Sequence, residues 1–111
     1  MRMERQVADK AWKAYERWIA KEIGGERVPI TGRQRGDKPD VAHDEYSIEC
    51  KQRSKNIPKW IDDALDQAEK SMVKTDQTPI VTVHVSGRSH EDDIVIMRWS
   101  AFKRLHFAAQ D

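Results

Sequence analysis

Lys38-Pro39-Asp40-Val41 and, after a short polar interval, Tyr46-Ser47-Ile48-Glu49-Cys50-Lys51-Gln52 form the stretch on which the reading of this chain turns. Tyr46, Ile48 and Cys50 alternate with Ser47, Glu49 and Lys51, the period-two pattern of a strand with one apolar face. Glu49 and Lys51 then share the other face. His43-Asp44-Glu45 supplies a turn, so the whole reads as a β-hairpin. A turn centred between Asp44 and Glu45 pairs residue 42 with 47 and sets Asp40 opposite Glu49, with Cβ atoms about 5 Å apart. Like charges so placed repel. A divalent cation between them would turn the repulsion into a binding site, because hard cations take oxygen ligands.

Upstream, Val7, Ala11, Trp12, Tyr15, Trp18, Ile19 and Ile23 recur at spacings of three and four and predict an amphipathic helix ended by Gly24-Gly25. Glu16 is expected at the edge of that stripe, beside Tyr15 and Ile19. Residues 26–30 read as a first strand and 31–38 as a polar loop into the hairpin. Downstream, Ile57, Trp60, Ile61, Ala64, Leu65, Ala68 and Met72 trace a second amphipathic helix, with Pro58 in its first turn and Gln67 on its polar side. The β-branched runs 79–85 and 93–99 predict two more strands joined by a polar loop, and Ser100 is expected to cap a C-terminal helix through Phe102 and Leu105. The order is helix, three strands, helix, two strands, helix. It predicts an α/β fold, a mixed central sheet of about five strands flanked by helices, in one domain spanning residues 1–111.

Asp40 followed by Glu49-Cys50-Lys51 resembles the PD-(D/E)xK nuclease signature. The resemblance extends to a leading helix with Glu16-Arg17, then Gly24-Gly25-Glu26-Arg27-Val28, then Thr31-Gly32-Arg33, the layout of archaeal and phage Holliday junction resolvases. It covers the first half of the chain by motif and the second half only by order of elements. It implies a restriction-endonuclease-like fold and a metal-dependent DNA endonuclease, of phage or prophage origin, acting on branched or four-way-junction DNA as a homodimer. Asp40 and Glu49 would bind Mg²⁺ (with Mn²⁺ expected to substitute), helped by Glu16 from the helix and by the backbone carbonyl of Cys50. Lys51 would orient or deprotonate the attacking water, or stabilise developing charge. Gln67 follows the motif lysine, where glutamines contribute in some relatives; its plain reading is a solvated helix residue.

Arg27, Arg33, Arg35, Arg53 and Lys55 are candidate phosphate contacts, because Lys51, Arg53, Lys55 and Lys59 form a basic run without acids and Arg33, Arg35 and Lys38 precede it. The 111 residues leave little material for reading base sequence, so recognition of DNA shape is expected. The formal net charge of +1 makes the distribution of charge matter more than its sum. Two rival readings stand beside the resolvase: a nuclease of the same fold acting on other DNA structures, and a non-catalytic DNA-binding module. A third reading makes Lys51 and its acidic neighbours a surface salt bridge. No run approaches the roughly 20 apolar residues of a membrane span, and the charged N-terminal stretch has no signal-peptide core, so a cytoplasmic placement in a bacterial host cell is expected. Cys50, the single cysteine, reads as a small buried hydrophobe. The four histidines (His43, His84, His90 and His106) show no ligand spacing. Among the four tryptophans, Trp99 or its neighbours are expected to anchor a dimer contact.

Overall fold

Glycine ends the first helix and starts the first sheet. The computed structural model describes residues 2–29 and 38–110, with side chains from residue 11 onward. Helix α1 (Arg2–Ile23) stops at Gly24, whose φ of +76° is the left-handed conformation that closes helices, and the Gly25 N–H returns to the Ala20 carbonyl at 2.8 Å. Strand β1 (Glu26–Arg27) follows at once and pairs antiparallel with β2 (Val41–Ala42), which pairs antiparallel with β3 (Ser47–Ile48). The hairpin register is the expected one: Ala42 faces Ser47 and Val41 faces Ile48. Its turn is held by the His43 Nδ1, which accepts the Glu45 N–H at 3.0 Å, while the His43 and Tyr46 rings stack at 5.0 Å.

The core of this unit is Ile19, Ala20 and Ile23 of α1 with Val41 and Cys50 from the hairpin. Among the described side chains of α1 the buried stripe runs through residues 16, 19, 20 and 23, a narrower face than the periodicity predicts for residues 11–23, while Val7 lies outside the described side chains. Ala11, Trp12 and Trp18 are exposed, and Glu16 lies at the centre of the buried face rather than at its edge. The cause is that a buried carboxylate is tolerable where a cation meets it, and one does.

The chain divides into two compact units, Met1–Ser54 and Lys55–Asp111. In the second, Pro58 stands at the N-cap of α2 (Lys59–Lys70), and β4 (Val81–Val83) pairs antiparallel with β5 (Ile94–Ile96) across a loop containing one 3₁₀ turn (His90–Asp92). Helix α3 (Trp99–Gln110) follows. Its first intrahelical bonds run from Ala101 and Phe102 to the Arg98 carbonyl, so Ser100 lies inside the first turn instead of capping it. Arg98 also faces a row of acids on α2: Nη1 is 3.3 Å from Asp62, Nη2 is 3.3 Å from Asp66 and Nε is 3.5 Å from Glu69. Each pair is solvent-exposed and weak alone, but one guanidinium serving three carboxylates ties α2 to the start of α3. Trp99 is half-buried and packs on Phe102 at 5.6 Å, leaving Trp12, Trp18 and Trp60 as the exposed tryptophans.

All five expected strands are present, each shorter than predicted. They form two antiparallel sheets, ordered β1-β2-β3 and β4-β5. One mixed sheet of five strands is not seen among the described residues. The short turn between β2 and β3 makes that pair antiparallel by construction, while β4 and β5 meet antiparallel across the longer connection 84–93. The α/β class holds at the level of three helices and two small sheets.

A Cβ on Gly25 would lie 2.4 Å from the Ala42 carbonyl oxygen and 3.1 Å from Val41 Cγ1, whereas one on Gly24 meets nothing within 4 Å. Gly25→Ala must therefore force β1 away from β2. It should cost more than the roughly 1 kcal/mol expected for Gly24→Ala at its positive φ. Urea unfolding of the two variants checks the order; equal losses would show that the β1–β2 contact yields easily.

Candidate active site

Beyond Val41 the hairpin ladder changes character at Asp40. The Asp40 N–H donates to the Ile48 carbonyl at 2.9 Å and the Asp40 carbonyl accepts the Val28 N–H at 3.0 Å. Its carboxylate Oδ2 accepts the Cys50 N–H at 2.7 Å. The side chain thus takes the place a strand carbonyl would fill, and one residue joins the segments carrying β1 and β3. Asp40 is only 6% exposed, so an ionised carboxylate there requires such bonds. Glu49, next in register opposite Asp40, points to solvent, as does Lys51. The facing carboxylates expected from the register consequently occupy different environments.

Glu16 arrives from α1. It is 1% exposed, and its Oε1 accepts a charge-assisted bond from Arg27 Nε at 2.8 Å. Helix α1 packs against β1 and β2, which places the Arg27 guanidinium over the buried carboxylate. Arg27, expected at a phosphate, is here the counter-ion of Glu16.

Cys50 reports how these groups converge. Burial first, then the charges of Asp40, Glu16 and Glu49 in that order, push its thiol up to about 11. Three carboxylates from a helix and two sides of a hairpin thus act on one buried sulfur. Burial, with the Cys50 charge as a lesser cause, also raises the Tyr15 hydroxyl. The donors at this locus are hard oxygens, the type Mg²⁺ takes, but the ligand atoms of Glu16, Asp40 and Glu49 do not all lie within 4.8 Å of one another, so the three do not form a closed metal shell as they stand. The bonds to Arg27 and to the Cys50 amide each engage one carboxylate oxygen, Glu16 Oε1 and Asp40 Oδ2. A polar groove lined by Gly24, Gly25, Glu26, Ala42, His43 and Asp44 lies at the turn end of the hairpin and contains none of these carboxylates.

Of the other expected site residues, Arg53 is exposed in the same unit. Lys55 and Gln67 belong to the second unit, where both are exposed and Gln67 Nε2 donates to Ser71 Oγ at 3.2 Å. Lys59, at the end of the basic run, is paired with Asp63 at 2.9 Å. Arg33 and Arg35 lie outside the described residues. Sequence reasoning missed two features. One is the Arg27–Glu16 pair, which only the α1–β1 packing reveals. The other is a grouping of His84, His90 and Asp93, the one set of three His, Cys, Asp or Glu residues among those described whose ligand atoms all lie within 4.8 Å of one another. Its signal was the register of the last two strands.

No protein family, curated protein or solved structure was found to match this chain.

Because the folded thiol holds its proton more tightly than the unfolded one, the stabilisation linked to Cys50 is complete below the unfolded thiol pKa of about 8.5. It is lost as pH rises toward 11. Native protein should hardly react with a thiol-specific disulfide reagent at pH 8, while urea-unfolded protein reacts fully. Glu49→Gln should shift the native titration downward by removing one of the repelling charges. Asp40→Ala should lower stability by about 1.5–3 kcal/mol, because the Cys50 amide loses a charged acceptor. Fast native labelling at pH 8 would contradict the burial argument.

Proposed function

We propose that the chain is a metal-dependent DNA endonuclease of the PD-(D/E)xK type, selective for branched DNA and in particular four-way junctions. The observation that carries this reading is the burial of two carboxylates in one unit, Glu16 of α1 and Asp40 of the hairpin, with the motif residues Glu49 and Lys51 exposed on the strand segment that follows. A buried Glu16 on the leading helix is unexplained by a plain surface helix, and it is the residue that the motif resemblance assigns to the metal shell. The proposal includes a restriction-endonuclease-like arrangement of the elements and a homodimer, since two matched incisions need two sites and each chain carries one.

Asp40, Glu49 and Glu16, with the Cys50 backbone carbonyl, would hold Mg²⁺, which supplies charge neutralisation at the scissile phosphate and a more acidic water. The Cys50 N–H fixes the Asp40 carboxylate, so that ligand is oriented in advance. Lys51 stands two residues from Glu49 and is free of the core, which suits a cationic group that orients or deprotonates the attacking water or meets the developing charge. Arg53 and Lys55, together with Arg33 and Arg35, would position the backbone of the substrate. Arg27 would join them only when released from Glu16.

A second reading rests on the same pair. With Glu16 bound to Arg27 and Asp40 bound to an amide, the carboxylates are also explained as structural groups of a DNA-binding module without catalysis. Arg27→Met separates the two. It leaves Glu16 as a buried uncompensated charge and should cost about 3–5 kcal/mol. If Glu16 is a metal ligand, millimolar Mg²⁺ should recover part of the lost melting temperature, and should do so less in the Arg27→Met, Glu16→Gln double variant. Absence of any Mg²⁺ effect would remove Glu16 from the metal shell.

Cleavage is tested with a labelled four-way junction and Mg²⁺ beside a linear duplex of the same sequence. Paired symmetric incisions in the junction are expected from the wild type, together with a dimer by light scattering. Glu49→Gln and Lys51→Ala should abolish turnover, with Lys51→Ala retaining DNA binding; wild-type rates from either variant would exclude that residue from the chemistry. Replacing Arg33 and Arg35 by alanine should weaken binding to all sequences alike and flatten the salt dependence by up to about one unit per lost phosphate contact.

A further inference from the structure

The β4–β5 hairpin carries a second chemistry at its mouth. Val83 faces Ile94 in its last pair, so the next residues, His84 and Asp93, come opposite each other where the strands part. Gly87, at a φ of +90°, turns the chain out of β4, and the 3₁₀ turn brings it back. That turn is well braced. Ser89 Oγ accepts the Glu91 N–H at 3.2 Å, the Asp92 N–H reaches the Ser89 carbonyl at 3.0 Å, and the Asp93 N–H reaches the His90 carbonyl at 3.1 Å. The bracing folds His90 back over the pair. Asp93 then lies between two imidazoles, its Oδ1 2.6 Å from His84 Nδ1 and its Oδ2 3.3 Å from His90 Nδ1, while the two rings sit 4.3 Å apart.

We propose that His84, His90 and Asp93 form a binding site for a transition-metal cation of the Zn²⁺ class. One ligand atom from each residue lies within 4.8 Å of the other two. Ligands about 2.0–2.1 Å from a tetrahedral ion stand about 3.3 Å from one another, so the side chains need only small rotations on a backbone already fixed. The ion would replace the direct contact between His84 and Asp93. Two imidazoles and one carboxylate make a borderline donor set that suits Zn²⁺, Co²⁺ or Ni²⁺ and not Mg²⁺, which prefers oxygen throughout. Three protein ligands leave a fourth position open to water or an external ligand, and the exposed His90, with its side chain 83% accessible, leaves the ion exchangeable with solvent. Bound there, the ion would cross-link both strands and their connecting turn. This site is independent of the nuclease reading: its donors and its preferred ion differ from those around Cys50.

The test uses the untagged full chain, stripped of metal by a chelator and desalted, titrated with ZnCl₂ by calorimetry and with CoCl₂ by visible absorption. One saturable Zn²⁺ per chain is expected, with Co²⁺ giving the d–d bands of a low-coordinate nitrogen and oxygen site. His84→Ala and His90→Ala should each weaken Zn²⁺ binding at least about tenfold, the loss that even an outer partner of a metal ligand causes. His43→Ala, His106→Ala and Glu49→Gln should leave it unchanged, and millimolar Mg²⁺ should not compete. Because His90 is so exposed, its replacement should preserve the far-ultraviolet circular dichroism, which separates loss of the site from loss of the fold. Absence of saturable binding, or binding unmoved in the His84→Ala, His90→Ala double variant, would overturn the proposal. So would Zn²⁺ binding abolished by Glu49→Gln and kept by the histidine variants.

Discussion

The hydrogen bond from the Cys50 amide to the Asp40 carboxylate is the constraint on which the first unit depends. Strands of two residues offer few ladder bonds of their own, and such short pairings are marginal without further support. Asp40 supplies that support through its N–H to Ile48, its carbonyl to Val28 and its side chain to Cys50. A charge-assisted bond in a desolvated position is stronger than a neutral ladder bond, and leaving that amide unpaired there would be costly. The same geometry explains why Cys50 ends up inside. Its amide is fixed by Asp40, and the strand alternation then turns its side chain into the core.

A buried carboxylate at Asp40 and another at Glu16 would destabilise the unit if either stood alone. Glu16 is answered by Arg27, so one cationic residue of β1 makes the buried face of α1 acceptable. This couples the helix to the sheet more specifically than apolar packing does. The Ile19, Ala20 and Ile23 contacts would tolerate a modest rotation of the helix, but an ion pair of 2.8 Å would not. In the second unit the charge logic is different. Arg98 meets Asp62, Asp66 and Glu69 at the surface, where each contact is weak and the arrangement matters as a network.

How much of this was legible in the sequence depended on whether a feature is set locally. The hairpin register was legible because a period-two strand can present its apolar face in only one phase, and a short turn then fixes which residues pair. The end of α1 was legible from Gly24, and the start of α2 to within a residue from Pro58, expected inside the first turn and found at the N-cap just before it. The phase of α1 was not, because Glu16 is buried through a partner eleven residues away in another element, and hydrophobic periodicity counts a glutamate as an outward position. The split into sheets of three and two strands was equally hidden, since β propensity marks a strand without naming its neighbour. For the candidate site, the residue types of Asp40, Glu49 and Lys51 were visible and their separate environments were not. The histidine grouping was overlooked because its spacing in sequence is irregular, and only the pairing of Val83 with Ile94 makes His84 and Asp93 adjacent.

Arg27 links these structural facts to the chemistry proposed for the site. Chemically it stands where a cation is needed, and a guanidinium and a divalent ion answer the same buried carboxylate by different means. The guanidinium is tethered and always present, so any metal at Glu16 must displace or share with it, and the affinity of the site is lowered by whatever the ion pair contributes. Among the described residues exposed Glu49 has no such competitor, and Asp40 is pinned by an amide that carries no net charge, so metal would be expected to engage these two first. Glu16 would follow only as Arg27 finds another anion. A phosphate of bound DNA is an anion of the right kind, since guanidinium pairs with phosphate at least as well as with carboxylate. Metal affinity and DNA binding would then reinforce one another, by an exchange of partners at a single arginine.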